Sequence, residues 1–335
     1  MTLRPPPYST VLKPYGTALV SLAESREDVV CLGADLTRQT ETDLFRDRFP
    51  HRFFNAGMAE ANLMGVAAGL ARGGFIPFVN TFGVFCTRRA YDQVTMSIAY
   101  PNLRVRLVGF MPGLSSPGGP SHQAIDDLAL MRALPNMTVI DVGDAGETGQ
   151  VVREIVDVDG PVYLRLKRGE IPAILDDAYR FRLDRASVVR PGSDVVIVAS
   201  GMMLASAAKA ATAAAGEVDV AVVYSPVVKP LDSETILGAM AGTQGVVTAE
   251  NHSVIGGLGS AVAEVMAERG VAVPLRRVGV SDVFAEPGSR PYLFSKYGLS
   301  SAQILRHVWE LTGRRGSPPP VSDVDGEEQG SFEPV

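Results

Sequence analysis

Residues 53–70 read FFNAGMAEANLMGVAAGL, and one carboxylic acid, Glu60, stands there among alanine, glycine, methionine and asparagine at the opening of an apolar helical pattern. Burying a carboxylate in such surroundings is costly, because loss of hydration disfavours the charged form. A helix N-terminus offsets part of that cost, since its free N–H groups favour negative charge. Two roles fit the pattern. One is a cap on the first turn of an ordinary buried helix. The other is a proton-bearing carboxyl group in an apolar pocket, suited to hydrogen-bonding a ring nitrogen or to acid/base work near neutral pH.

Such a group acts only where other elements bring partners to it, and the surrounding pattern is that of an open α/β sheet. Residues 9–25 read as a helix, with Leu12, Leu19 and Leu22 recurring. Short apolar runs at 29–33, 53–55, 76–80, 103–108, 138–140 and 162–166 read as parallel strands, with helices between them that cover both faces. The helix that follows the 76–80 run is predicted to pass through Arg89 and Met96. Ligands of such sheets sit in the loops that follow the carboxyl ends of the strands. Those loops carry Asp35-Leu36-Thr37, the Glu60 segment, Thr81-Phe82-Gly83-Val84-Phe85, and Gly118-Gly119-Pro120-Ser121-His122-Gln123. One acid, two phenylalanines and one histidine are thereby expected in a single crevice. Taken singly, Phe82 and Phe85 read first as core aromatics, and one histidine after a Gly-Pro turn proves little.

The pattern predicts an α/β fold of two doubly wound domains: residues 1–170 with a mainly parallel sheet, a charged, proline-bearing linker at 171–191, and a smaller domain at 192–315. The remaining residues, 316–335, are acidic and proline-rich and predict disorder. The chain has 335 residues, 46% of them hydrophobic, and a net charge of -6, so no general basic footprint for nucleic acid or an anionic membrane is present. No apolar run reaches the ~18 residues needed to span a bilayer, and the N-terminal residues lack a signal-peptide core. Cys31 and Cys86 are far apart and outside any CxxC pair, and the four histidines have no zinc-ligand spacing. These features predict a cytoplasmic protein that binds no nucleic acid and no membrane.

Taken together and in order, three groups of motifs resemble the transketolase family of thiamine-diphosphate enzymes, and within it the C-terminal subunit of the split, two-component bacterial form. They are NAGMAEANLMGVAAGLA with VNTFGVFCTRRAYDQV, then GGPSHQAIDDLALMRALPNMTVI, then AENHSVIGGLGSAVAEVMAE with DVFAEPGSRPYLFSKYGLS. The resemblance implies a pyrimidine-binding domain followed by a transketolase C-terminal domain. Glu60 matches the glutamate that hydrogen-bonds the aminopyrimidine ring and so activates the cofactor. Phe85 and Phe82 match aromatics that line the pyrimidine, and Asp35 belongs to the same cofactor-binding loops. His122 matches a histidine that faces the reacting carbons, and Arg168 a position that binds substrate phosphate in relatives. His252, in the AENHS motif, is expected to serve structure or subunit contact. The Gly-Asp-Gly motif that holds metal and diphosphate in this superfamily is absent from the sequence. The implied cofactors, thiamine diphosphate and Mg²⁺, would therefore be held largely by a partner, an N-terminal transketolase subunit, in an α2β2 assembly.

Departures from the family pattern fall at substrate positions. Gly118 stands where an Asp touches donor hydroxyls, Met111 lies where relatives often carry His, Leu12 replaces a phosphate-gripping Arg, and Gln39 replaces a small hydroxyl residue. Each lost hydrogen bond weakens recognition by roughly 1–3 kcal/mol. The expectation is two-carbon ketol transfer between small molecules other than the usual pentose phosphates. A β-type subunit of a 2-oxoacid dehydrogenase and a non-catalytic assembly subunit are the competing readings.

Overall fold

A computed structural model describes residues 3–321 and Asp323. Its strands, in chain order, are β1 (Thr10–Leu12), β2 (Val29–Gly33), β3 (Phe53–Asn55), β4 (Ile76–Phe82), β5 (Arg106–Phe110), β6 (Thr138–Asp141) and β7 (Val162–Leu166). They continue with β8 (Glu170–Pro172), β9 (Ser187–Arg190), β10 (Val195–Ala199), β11 (Val220–Tyr224), β12 (Val227–Lys229), β13 (Val246–Ser253) and β14 (Leu275–Val280). Every residue of β2, β4, β5 and β7 is buried. That is why these strands read as mainly apolar runs: a central parallel strand is covered on both faces, with Asn80, Arg106 and Arg165 among the buried polar exceptions.

The first sheet has the order β12-β6-β7-β5-β4-β2-β3, parallel except for β12. The second has the order β14-β13-β10-β11-β9, parallel except for β9. Two α/β units with mainly parallel sheets are thus present, as the pattern predicted. They are not separate, because β12 leaves the second half and pairs antiparallel with β6 of the first. The 171–191 segment carries structure of its own: β8 pairs with β1, and β9 forms the antiparallel edge beside β11.

Some elements differ from their sequence reading. The 9–25 helix begins only at Pro14, after strand β1 and a left-handed Lys13 (φ 53°). Proline at the first helical position forces that start. The single helix expected through Arg89 and Met96 is divided into Gly83–Thr87, Tyr91–Gln93 and a π-helical turn, Val94–Ala99. Thr87 and Thr95 turn their hydroxyls back onto the carbonyls of Gly83 and Tyr91, a bond that bends helices. The strand expected at 103–108 is shifted to 106–110. Of the tail expected to be disordered, residue 322 and residues 324–335 lie outside the described residues; Val321 packs on the core and Asp323 accepts hydrogen bonds from the Ser301 N–H. No helix among the described residues is long and apolar enough to cross a membrane.

Candidate functional site

Because β2, β3, β4, β5 and β7 are parallel neighbours, the loops that follow them emerge side by side at one edge of the first sheet. Glu60 opens the Glu60–Arg72 helix after β3 and is 3% exposed. Phe82 ends β4, and Phe85 lies one turn into the next helix. Their rings stack with centroids 5.8 Å apart and planes at 27°. His122, from the long loop after β5, meets Phe85 edge-on at 5.2 Å and Phe82 at 6.5 Å. The four residues with the strongest chemical reading therefore gather in one place.

Glu60 is not alone in apolar surroundings, as the sequence suggested. Arg89 Nη1 donates to Glu60 Oε1 at 3.1 Å, and the same guanidinium lies 3.8 Å from the centre of the Phe85 ring. Arg89 is not legible as a site residue, because a charge in what reads as a continuous helix reads as solvated surface; the adjacent Arg88 and Arg89 are its only signal. Arg88 has a different task. It donates twice to Asp126 and also to the carbonyls of Pro120 and Gln123, gripping both ends of the His122 segment.

The other residues singled out spread along the same edge. Asp35, with φ 57°, pairs with Asn55, whose Nδ2 donates to Asp35 Oδ1 at 2.6 Å, so it braces the approach to Glu60 and does not join the rings. Met111 (φ 58°) is buried and donates its N–H to the Leu166 carbonyl. Gly118 lies against His122: a Cβ there would come 2.9 Å from the His122 Cβ. Gln39 and Arg168 are half-buried in the loops after β2 and β7, and Leu12 is 66% exposed on β1. The Ser121 hydroxyl meets His122 Nδ1 at 2.9 Å, which leaves Nε2 as the nitrogen for a substrate.

The loop that carries His122 is fastened from the second half of the chain. Asn251, at the end of β13, donates from Nδ2 to the Pro112 carbonyl and accepts at Oδ1 from the Leu114 N–H, both at 2.9 Å. Gln123 Nε2 donates to the Glu286 carbonyl, and the Gly288 N–H donates to the Pro117 carbonyl. Beneath the loop, fully buried Arg165 of β7 donates to both oxygens of Asp127, at 2.8 and 2.9 Å, and to the carbonyls of Ala124 and Asn251. Burial pushes the Asp141 carboxyl upward although Arg165 lies beside it. None of these fasteners is legible as such in the sequence: the AENHS motif stands out there, but its reach across the chain does not.

His252 has no free nitrogen for chemistry. Nε2 accepts from the Ala129 N–H and Nδ1 donates to the Ser253 carbonyl, so the ring is neutral, and burial holds its pKa down at about 4. The Gly-rich run beside it serves close packing, because Gly257 lies directly against the Glu250 carboxylate and His252. Glu250 in turn accepts from the Leu258 and Gly259 N–H groups at the next helix start, with its pKa pushed up to about 7 by burial.

A buried carboxylate at a helix start, two stacked aromatics and an edge-on imidazole complement a flat, nitrogen-bearing ring. Among the described residues no group of three or more His, Cys, Asp and Glu side chains is placed to hold a metal ion. The family model of the transketolase pyrimidine-binding domain matches residues 9–173, and that of the transketolase C-terminal domain residues 184–304. A transketolase-family protein of Sinorhizobium fredii is 45% identical over 302 residues, 89% of this chain and 87% of that protein. A 6-deoxy-6-sulfo-D-fructose transketolase subunit of a Clostridium species is 43% identical, over 90% of this chain and 94% of that protein. A solved structure described as a split gene transketolase, inactive beta4 tetramer, superposes with a TM-score of 0.84 at 45% identity, covering 90% of this chain and 97% of that one.

Proposed function

The chain belongs to the transketolase family, and on that premise we propose that it is the C-terminal, pyrimidine-domain component of a two-component, thiamine-diphosphate-dependent transketolase. The observation that carries this reading is the cluster of Glu60, Phe82, Phe85 and His122 at the carboxyl edge of the first sheet. Thiamine diphosphate, when bound, supplies a carbon centre that stabilises an acyl anion. Glu60 holds and moves a proton at the pyrimidine ring, Phe82 and Phe85 form its apolar wall, and His122 Nε2 hydrogen-bonds substrate hydroxyls. Asp35 orders the loop behind the cofactor. Glu60, Phe82 and Phe85 are buried, so their contacts gain from exclusion of water.

Diphosphate and Mg²⁺ fall to a separate N-terminal subunit in an α2β2 assembly. Two features support this: the sequence has no Gly-Asp-Gly motif, and a relative of similar length is named a transketolase subunit while a solved relative is titled a split gene transketolase, inactive beta4 tetramer. The substrates differ from pentose phosphates. Gly118, Met111 and Gln39 offer few polyol or phosphate contacts, Arg168 is left as the candidate for an anionic end, and a 43%-identical relative is named for a sulfonated sugar. Buried, unpaired Cys31 and Cys86 fit the cytoplasm.

Calorimetry of thiamine diphosphate with Mg²⁺ tests the composite site. Binding is expected only when the partner subunit is present. In the reconstituted enzyme Glu60→Gln should lower turnover roughly 10²–10⁴-fold. Tight binding by this chain alone, or full turnover by the variant, would remove the proposal.

A further inference from the structure

Arg89 makes, with Glu60 and Phe85, the same two contacts that the proposed function assigns to the cofactor's aminopyrimidine. A planar, hydrogen-bonding group lies 3.8 Å over the Phe85 ring and donates an N–H to Glu60 Oε1 at 3.1 Å. A guanidinium and an aminopyrimidine have flatness, size and edge donors in common, so one can stand where the other binds. The two partners differ in mobility. The Glu60 side chain is 3% exposed and fixed at its helix start, whereas the Arg89 side chain is 50% exposed. Arg89 can therefore swing into solvent while keeping its charge hydrated. Neighbouring Arg88, held by Asp126 and two carbonyls, has no such freedom.

We propose that Arg89 is a placeholder residue of the pyrimidine site: it neutralises Glu60 and covers Phe85 in the unliganded subunit, and it is displaced when the cofactor's ring enters. This rests on the cofactor reading above. It adds a residue and a consequence, namely that part of the cofactor's binding energy is used to break contacts that the chain makes with itself. The arrangement also keeps a buried carboxylate compensated until the ring arrives, since an uncompensated buried charge is strongly destabilising.

The test is calorimetric affinity for thiamine diphosphate with Mg²⁺, measured on the complex of this chain with its diphosphate-binding partner subunit. Contacts of this exposure correspond to roughly a five- to thirty-fold factor in affinity. Arg89→Met is expected to bind the cofactor tighter by that factor. Arg89→Lys, which keeps the charge but loses the planar stack, should fall between it and the natural chain and serves if the methionine variant folds poorly. In a Glu60→Gln background the gain from Arg89→Met should shrink, because one of the two displaced contacts is already gone. Unchanged or weaker binding by both Arg89 variants, in a complex where Glu60→Gln does weaken binding, overturns the placeholder while leaving the cofactor reading intact. If Glu60→Gln leaves cofactor affinity unaltered, the cofactor reading itself fails, and the placeholder with it.

Discussion

Replacing Asn251 with Ala removes the joint that ties the His122 loop to the second half of the chain. In the native fold Asn251 is 1% exposed; its amide donates to the Pro112 carbonyl and accepts from the Leu114 N–H, both at 2.9 Å. Between those two residues Gly113 takes φ +51° and lies tight against the Asn251 amide, so the loop has no slack with which to find new partners. Truncation strands the fully buried Leu114 N–H, whereas the Pro112 carbonyl keeps the Ser115 N–H and hydroxyl as donors. An unsatisfied buried donor costs about 1–3 kcal/mol where water cannot enter. Two readouts follow. The unfolding free energy from urea denaturation should fall by that amount at an unchanged m-value. Turnover of the assembled enzyme should fall more than tenfold, because His122 is aimed by this loop. Asn251→Asp, which keeps the acceptor and loses the donor, should sit between the two. A variant as stable as the natural chain would refute the energetic reasoning. One that is destabilised but fully active would refute the link between this joint and His122.

Other perturbations test other parts of the molecule. Burial pushes the Glu147 carboxyl up to about 8, although Tyr179 and Tyr224 both donate to it at 2.5 Å. Its folded pKa is raised, so the native chain holds the proton and stability should decline as pH rises from about 4.5 to 8; Glu147→Gln should flatten that decline by on the order of 5 kcal/mol in pH-dependent denaturation, and an unchanged slope would exclude the assignment. His252 has the opposite sign: with its pKa held down at about 4 its contribution grows as pH rises from 4 to 6.5, so acid unfolding of His252→Gln should be less steep in that window. Arg165→Met leaves Asp127 and Asp141 buried without their cation and should cost about 3–5 kcal/mol in chemical denaturation. Gly118→Asp should not create a pentose phosphate enzyme. The new Cβ would crowd His122 at 2.9 Å, costing about 1–3 kcal/mol and lowering turnover with every donor, which a donor screen would check.

The sequence by itself determined what is local or periodic. The buried strands are legible because a central parallel strand is apolar at most positions, and the placement of Glu60 at a helix start follows from the change of pattern after Asn55. Once the strands are parallel, their following loops must share an edge, so the meeting of Glu60, Phe82, Phe85 and His122 was already implied by order along the chain. Only the tertiary structure decided what depends on groups distant in sequence. The Arg89–Glu60 pair spans 29 residues and the Asn251–Leu114 bond 137, and neither leaves a mark in local propensity. The same holds for β12, which crosses to the first sheet, and for β9, hidden in a segment that reads as a connector. A side chain's type fixes what it can bond, but its partner is set by where the chain brings it, and that is a property of the whole fold.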